Sequence, residues 1–390
     1  MKKFELLAPI GDFPSLIAAI QAGADAVYFG LKEFNMRDSA KNFKISDLTR
    51  INTLCGKKTK KYLTLNTIIY DNELKKIEKI MKRIKNKVDA VICWDLAVIQ
   101  LCKKYKIPIH ISTQASVANS ETARFYKSLG AERIILAREL NLKQTKKISK
   151  IIPIECFIHG AMCVSISGRC FTSQFLQNKS ANRGQCTHPC RRFYNIKDRD
   201  GYELKLENNR VMSAKDLCCL PFIKKLKQAG ITTFKIEGRG RNPEYVYTTT
   251  QIYRNALDKK LSNQEIKQSL EQLKKVYNRG FSSGFYLNPP TSDDFSKTEH
   301  GESKEKKEFI GKIDKYWPNI KVAAIKIKSG NLNLGDEVYI IGDKTGIIRT
   351  KITSIELNKK QIKQVKKSQF VGLKLPPCKK GDDLYLIKKK

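Results

Sequence analysis

Four cysteines, Cys163, Cys170, Cys186 and Cys190, follow one another at the spacing C-x6-C-x15-C-x3-C. Four thiolates satisfy a 4Fe–4S cube, which takes one sulfur ligand per iron. Zinc also accepts four thiolates, although structural zinc sites commonly use C-x2-C knuckles, which neither pair has. A third chemistry is a catalytic thiol, because His159 stands shortly before Cys163. The plain alternative is four buried core cysteines, but Gly, Ser, Arg and Pro flank these positions rather than an apolar face. Seven of the eleven cysteines fall between Cys156 and Cys219. In a reducing compartment such clustering points to metal or catalysis before disulfides. Gly160, Gly168 and Gly184 permit close backbone approach. Arg169, Arg183, Arg191 and Arg192 place positive charge beside an anionic cluster, a phosphate or a carboxylate.

The elements that must position these residues alternate between short apolar runs and amphipathic stretches. The expected strands are Glu5–Pro9, Ala26–Gly30, Tyr62–Asn66, Ala90–Asp95, Ile109–Thr113, Arg133–Arg138, Ile154–Gly160 and Thr232–Gly238. Helices are expected at Asp12–Ala22, Asn72–Lys85 and Ser120–Leu129, with Asp12, Asn72 and Ser120 as N-caps. Eight β–α alternations predict a (β/α)8 TIM-like barrel over 1–288, with an open doubly wound sheet as the alternative. In a barrel the reactive residues sit at strand C-terminal ends. Those ends carry Asn66, Trp94, Asp95, Gln114, Arg138, Glu139, His159, Glu237 and Arg239. Residues 160–212 exceed an ordinary connection and hold the cysteines, so they read as a functional insertion at the mouth. A helix over Asp216–Ala229 is expected to lead back to the last strand.

Residues 289–308 read as a linker, and 309–390 as a small basic β-barrel domain with turn signals between short β runs. Residues 304–390 carry 22 Lys and Arg against 9 acids, and the whole chain is at +37. Such an excess favours a polyanion, most simply a nucleic acid; the bland reading is a solvated lysine surface. No apolar run approaches the ~20 residues of a membrane span, and Glu5 interrupts the N-terminus before any long apolar stretch, so the cytoplasm is the expected location.

The segment Glu155–Ser173 resembles the signature of the collagenase-like peptidase family U-32, with Thr172 at a position the signature usually gives to an aliphatic residue. Leu7-Ala8-Pro9-Ile10-Gly11-Asp12, Ala22–Gly30 and Lys235-Ile236-Glu237-Gly238-Arg239 resemble it too. The likeness is greatest to the prephenate-dependent branch that makes 5-hydroxyuridine at the tRNA wobble position. It implies a 4Fe–4S cluster on Cys163, Cys170, Cys186 and Cys190, with Cys218 or Cys219 as the substitute fourth ligand. It also implies prephenate as co-substrate and a tRNA or ribosomal RNA partner. His159, Glu237, Arg239 and Gln114 are then the candidate catalytic pocket residues. The competing expectations are a peptidase, for which the chain has no H-E-x-x-H, and a non-catalytic Fe–S RNA-binding or assembly factor.

Overall fold

The computed structural model describes residues 4–38, 40–204, 208, 210, 212–298 and 301–390. Parts of the expected insertion (205–207, 209, 211) and linker (299–300) lie outside the described residues. Strands β1 (Glu5–Pro9), β2 (Ala26–Gly30), β3 (Lys60–Thr64), β4 (Ala90–Cys93), β5 (Ile109–Ile111), β6 (Ala131–Ile135) and β7 (Ile154–Gly160) pair in sequence order, all parallel. The insertion holds a ribbon, β8 (Ile196–Lys197) with β9 (Glu203–Leu204), and then β10 (Asp216–Cys218) lies antiparallel to the end of β7. Strand β11 (Thr233–Ile236) slots between β7 and β1, with Thr233 opposite both Glu155 and Glu5. Eight parallel strands thereby close into a barrel. The runs Ala-Val-Tyr-Phe-Gly of β2 and Ala-Val-Ile-Cys of β4 are buried throughout, as strands covered on both faces must be.

Helices α1 (Phe13–Gln21), α2 (Leu48–Cys55), α3 (Leu74–Ile84), α4 (Leu96–Tyr105), α5 (Ser120–Ser128) and α6 (Leu142–Ile148) form the outer layer. In α3, Ile77, Ile80, Met81 and Ile84 share one buried stripe, while the lysines face water. Asp12 caps α1 through Ser15 N as expected, but Asn119 rather than Ser120 caps α5, and a 3-10 turn at Asp71–Glu73 displaces Asn72 from the cap of α3. The single helix expected over Asp216–Ala229 divides. Leu217, Cys218 and Cys219 are buried in succession and Pro221 interrupts, so α7 (Thr172–Gln177) in the insertion is followed by α8 only at Ile223–Gln228. Helices α9 (Pro243–Asp258) and α10 (Asn263–Lys275) complete the layer, and β12 (Phe281–Ser282) pairs with β10.

The C-terminal domain is not the β-barrel expected from its turn spacing. Its strands are β13 (Glu305–Trp317), β14 (Val322–Lys326), β15 (Leu332–Asn333), β16 (Glu337–Gly342), β17 (Gly346–Lys351), β18 (Ile355–Leu357), β19 (Lys360–Gln361), β20 (Gln364–Val365), β21 (Phe370–Lys374) and β22 (Asp383–Lys389). Eight of them form a sheet in the order β17-β16-β22-β13-β14-β21-β18-β19, and its two edges are not paired with each other. β15 pairs only with β20. The expected linker also ends early, since β13 begins at Glu305. Two register shifts let β13 bend and serve both halves of the sheet, around a core that includes Ile310, Ile313, Ile325 and Leu373. The barrel packs against the β17 end of this sheet. Ala18 of α1 packs with Tyr339, Ile341 and Ile347, and Gln21 Nε2 donates to Thr345 O at 3.0 Å.

Candidate functional site at the barrel mouth

The C-terminal ends of the barrel strands surround a polar pocket lined by Tyr28, Asn66, Gln114, Arg138, Glu237 and Arg239, with Arg37, Thr64, Phe157 and Lys235 among its other walls. Asn66 Nδ2 donates to Gln114 Oε1 at 3.1 Å, and Arg239 Nη1 donates to Thr64 Oγ1 at 2.9 Å. Burial lowers the Arg239 guanidinium to about 10. Arg138 stacks its guanidinium 4.0 Å over Phe157 and donates through Nη1 to Ala161 O, while its buried Nε has no partner among the described residues. Glu237 meets Arg37 Nη2 at 3.1 Å. Burial alone would raise the Glu237 carboxyl, but Arg37, Arg138 and Arg241 outweigh it and hold the group below the ordinary range. The walls thus present several cations around one carboxylate, an arrangement suited to an anionic small molecule or a phosphate.

Below the pocket the barrel interior is filled by charges rather than by apolar layers alone. Lys235 Nζ donates to Glu155 Oε1 at 2.8 Å, and Arg133 reaches Glu5 at 2.6 Å and Glu155 at 3.5 Å. Glu155 is fully buried, so this network is satisfied from within the protein.

The insertion spans the mouth and is fixed to the loops that follow β2, β3, β5 and β6. Asp38 N donates to Gly184 O at 3.1 Å, Arg183 pairs with Glu73, Arg169 donates to Ser116 Oγ at 3.0 Å, and Ser167 N donates to Glu139 at 2.8 Å. Gly184 has φ +91°, and a Cβ there would lie 2.3 Å from Asn35 O, so glycine is required. Cys163 is exposed, and Cys170, Cys186 and Cys190 are half-buried. Burial pushes the Cys190 thiol up, Arg191 opposes this, and Cys163, Cys186 and Cys170 lie near enough to add to the rise. Burial would also raise Cys170, but hydrogen bonds from Ser165 and from the Thr172 hydroxyl and amide bring it below its ordinary value. Ser173 Oγ stands 4.0 Å from Cys186 Sγ. Burial opposes the charge on Arg37, but the hydrogen-bonded Glu237 carboxylate outweighs it and holds the guanidinium above its ordinary value.

The donor set of four thiols has the number and chemistry of a four-iron cluster. Among the described residues, no three His, Cys, Asp or Glu groups stand in a shell that one metal ion could share. Cys218 and Cys219 are buried in the core, where burial raises the Cys218 thiol to about 11 and raises the Cys219 thiol as well.

Gln114, Glu237 and Arg239 therefore share the pocket, while His159 lies apart from it. Glu155 and Phe157 point into the barrel, and simple alternation would send His159 the same way. The β7–β11 register slips at this point, pairing Lys235 with Phe157 and Ile236 with His159. The ring turns outward among Tyr245, Tyr253 and Phe281, with Nδ1 3.3 Å from Tyr253 Oη. Burial lowers its pKa to about 3, so it is neutral. Asp95 caps α4 through Ala97 N. Arg37 was missed as a candidate because it lies in the loop beyond β2 rather than at the strand end; the only signal was a cation seven residues after Gly30.

Residues 11–296 match Peptidase family U32. The chain belongs to this family. A collagenase of Porphyromonas gingivalis is 38% identical, with 99% of this chain and 98% of the relative covered. An uncharacterised protease of Methanocaldococcus jannaschii is 40% identical over 100% of this chain and 99% of the relative. The U32 likeness extends to tRNA hydroxylation protein P1 of Bacillus subtilis, 32% identical over 87% of this chain and 84% of the relative. No helix among the described residues is long and apolar enough to cross a membrane.

Proposed function

We propose that this U32 protein is an RNA-modifying enzyme that hydroxylates a pyrimidine, most specifically at uridine C5 in the tRNA wobble position, without molecular oxygen. A 4Fe–4S cluster would be held by Cys163, Cys170, Cys186 and Cys190 and would supply one-electron redox chemistry there. The observations that support the reading are a pocket that sets Arg37, Arg138 and Arg239 around Glu237, and an insertion bearing the four thiols that is docked on loops of the same mouth. In this reading Arg37, Arg138 and Arg239 bind the carboxylates of a co-substrate such as prephenate, and the buried Nε of Arg138 is one donor for it. The insertion excludes water from the pocket, and a flipped base enters at its rim. The net charge of +37 suits the RNA partner.

The test is anaerobic purification with iron and sulfide counts, beside mass spectrometry of tRNA from a deletion strain. Each Cys→Ser variant should lose iron and the ~400 nm absorbance expected of Fe–S charge transfer. Iron content unchanged in all four variants, or tRNA with its full complement of hydroxylated uridine in the deletion strain, would refute the reading.

A second reading is a peptidase, favoured by the collagenase and protease names of the two relatives matched along nearly their whole length. Its test is gelatin hydrolysis by rigorously purified protein. Activity that disappears in Glu237→Gln or Cys163→Ser, with the fold intact, would establish it in place of the first.

A further inference from the structure

Nine of the eighteen exposed large apolar side chains among the described residues fall within residues 164–204, so the insertion carries an apolar surface that the rest of the molecule does not. Its centre is α7, between the second and third thiols. An ordinary surface helix turns its apolar side inward. α7 does the reverse. Ser173 is its buried residue, accepting from Thr187 N at 3.2 Å, while Phe175 is 83% exposed and Phe171, immediately before the helix, is 64% exposed. Phe171 and Phe175 are one turn apart, with ring centroids 6.2 Å from each other and planes inclined by 35°. Arg169 and Lys179, both exposed, bracket them in the chain, and the Arg169 guanidinium also lies 5.8 Å from the Trp94 ring.

Two neighbouring solvent-facing rings set between cations match the chemistry of unpaired nucleic-acid bases, which stack on aromatic faces while their phosphates take the positive charge. A purely apolar partner would not account for the flanking cations or for a chain at +37. We propose that Phe171 and Phe175 form a stacking platform for the unpaired bases of a single-stranded RNA segment. This deepens the RNA-modification reading and rests on it for the identity of the polyanion: the platform would hold bases beside the one that enters the pocket.

The experiment uses the full chain and a fluorescein-labelled single-stranded RNA of about 12 nucleotides, against a duplex of equal length. Stacking contributes enough per base that Phe171→Ala/Phe175→Ala should weaken single-strand binding by about 10- to 100-fold. Duplex binding, driven by charge, should change less than about twofold. Phe175→Trp should preserve single-strand affinity, whereas Phe175→Leu, apolar without a π face, should behave like Ala. Single-strand binding unaffected in the double variant would overturn the platform, as would Phe175→Leu binding as well as the parent. So would unaltered RNA binding combined with a fall in assembly mass on light scattering, which would assign the rings to a protein interface. Iron content separates the two proposals. Loss of single-strand binding with iron retained supports the platform, whereas a parent protein without iron sinks the cluster and leaves the stacking result standing.

Discussion

Replacing His159 by Phe keeps a ring in the Tyr245, Tyr253 and Phe281 cage and removes a titrating group. Tyr253 Oη keeps its bonds to Ile158 O at 2.9 Å and from Cys219 N at 3.1 Å, so no buried hydroxyl is stranded. In the folded protein the ring titrates near 3; in the unfolded chain it titrates at about 6.5. Between those values the unfolded state binds more protons, so stability rises with pH and is lost on acidification. From pH 7 to pH 5 the loss from His159 alone comes to about 2 kcal/mol, since each pH unit below 6.5 costs about 1.4 kcal/mol. Guanidinium unfolding of parent and His159→Phe at both pH values measures it. The variant should gain about 2 kcal/mol relative to the parent at pH 5 compared with pH 7; the contribution of His110, depressed by its own burial, is common to both proteins and cancels. Parallel stability losses in the two proteins would mean that the ring charges freely in the folded state. It would then be a mouth residue after all.

Lys235→Met leaves Glu155 in the barrel interior with Arg133 at 3.5 Å and should cost about 3 kcal/mol, whereas Glu155→Leu/Lys235→Met should recover much of it; equal guanidinium midpoints for the single and double variants would contradict the pairing. Glu237, held below its ordinary range, contributes stability that is complete above about pH 4.3 and disappears as pH falls through its depressed folded value. In Arg37→Met burial acts against fewer cations, so carboxyl-carbon NMR should show Glu237 titrating at higher pH than in the parent. Because the Arg37 side chain is 36% exposed, the stability loss should stay near 1 kcal/mol. Gly184→Ala must adopt φ +91° against Asn35 O, so limited proteolysis should cut within 160–212 faster than in the parent while far-UV circular dichroism is preserved. Cleavage at the parental rate would show that the insertion docks without that contact.

The barrel was legible because its strands are buried on both faces. β1, β2 and β7 match the expected ranges residue for residue, each being a nearly continuous apolar run between turn signals. β3 and β6 begin and end earlier than expected, since Asn66 and Arg138 have left the ladder to line the pocket. Of the polar residues at the strand ends, Gln114, Glu237 and Arg239 line one pocket. His159 could not be placed from alternation, because one register slip between β7 and β11 reverses its face and no local residue announces it. The C-terminal strands were individually legible, but whether their sheet closes depends on pairings across the whole domain. Arg37 was hidden for a similar reason, since its partner Glu237 lies 200 residues away.

β11 closes the barrel by pairing with β1, so Glu5 waits for Thr233 to be synthesised before its edge is covered. At about 5–20 residues per second that interval is some tens of seconds. All four mouth thiols emerge during it, before the cylinder that will hold them exists, while β1 and β7 still present open edges. Synthesis therefore passes through a stage in which the thiols are exposed to oxidation and the edges to misassembly. Conditions that slow elongation past residue 190 should lower the yield of native protein more than its final stability would indicate.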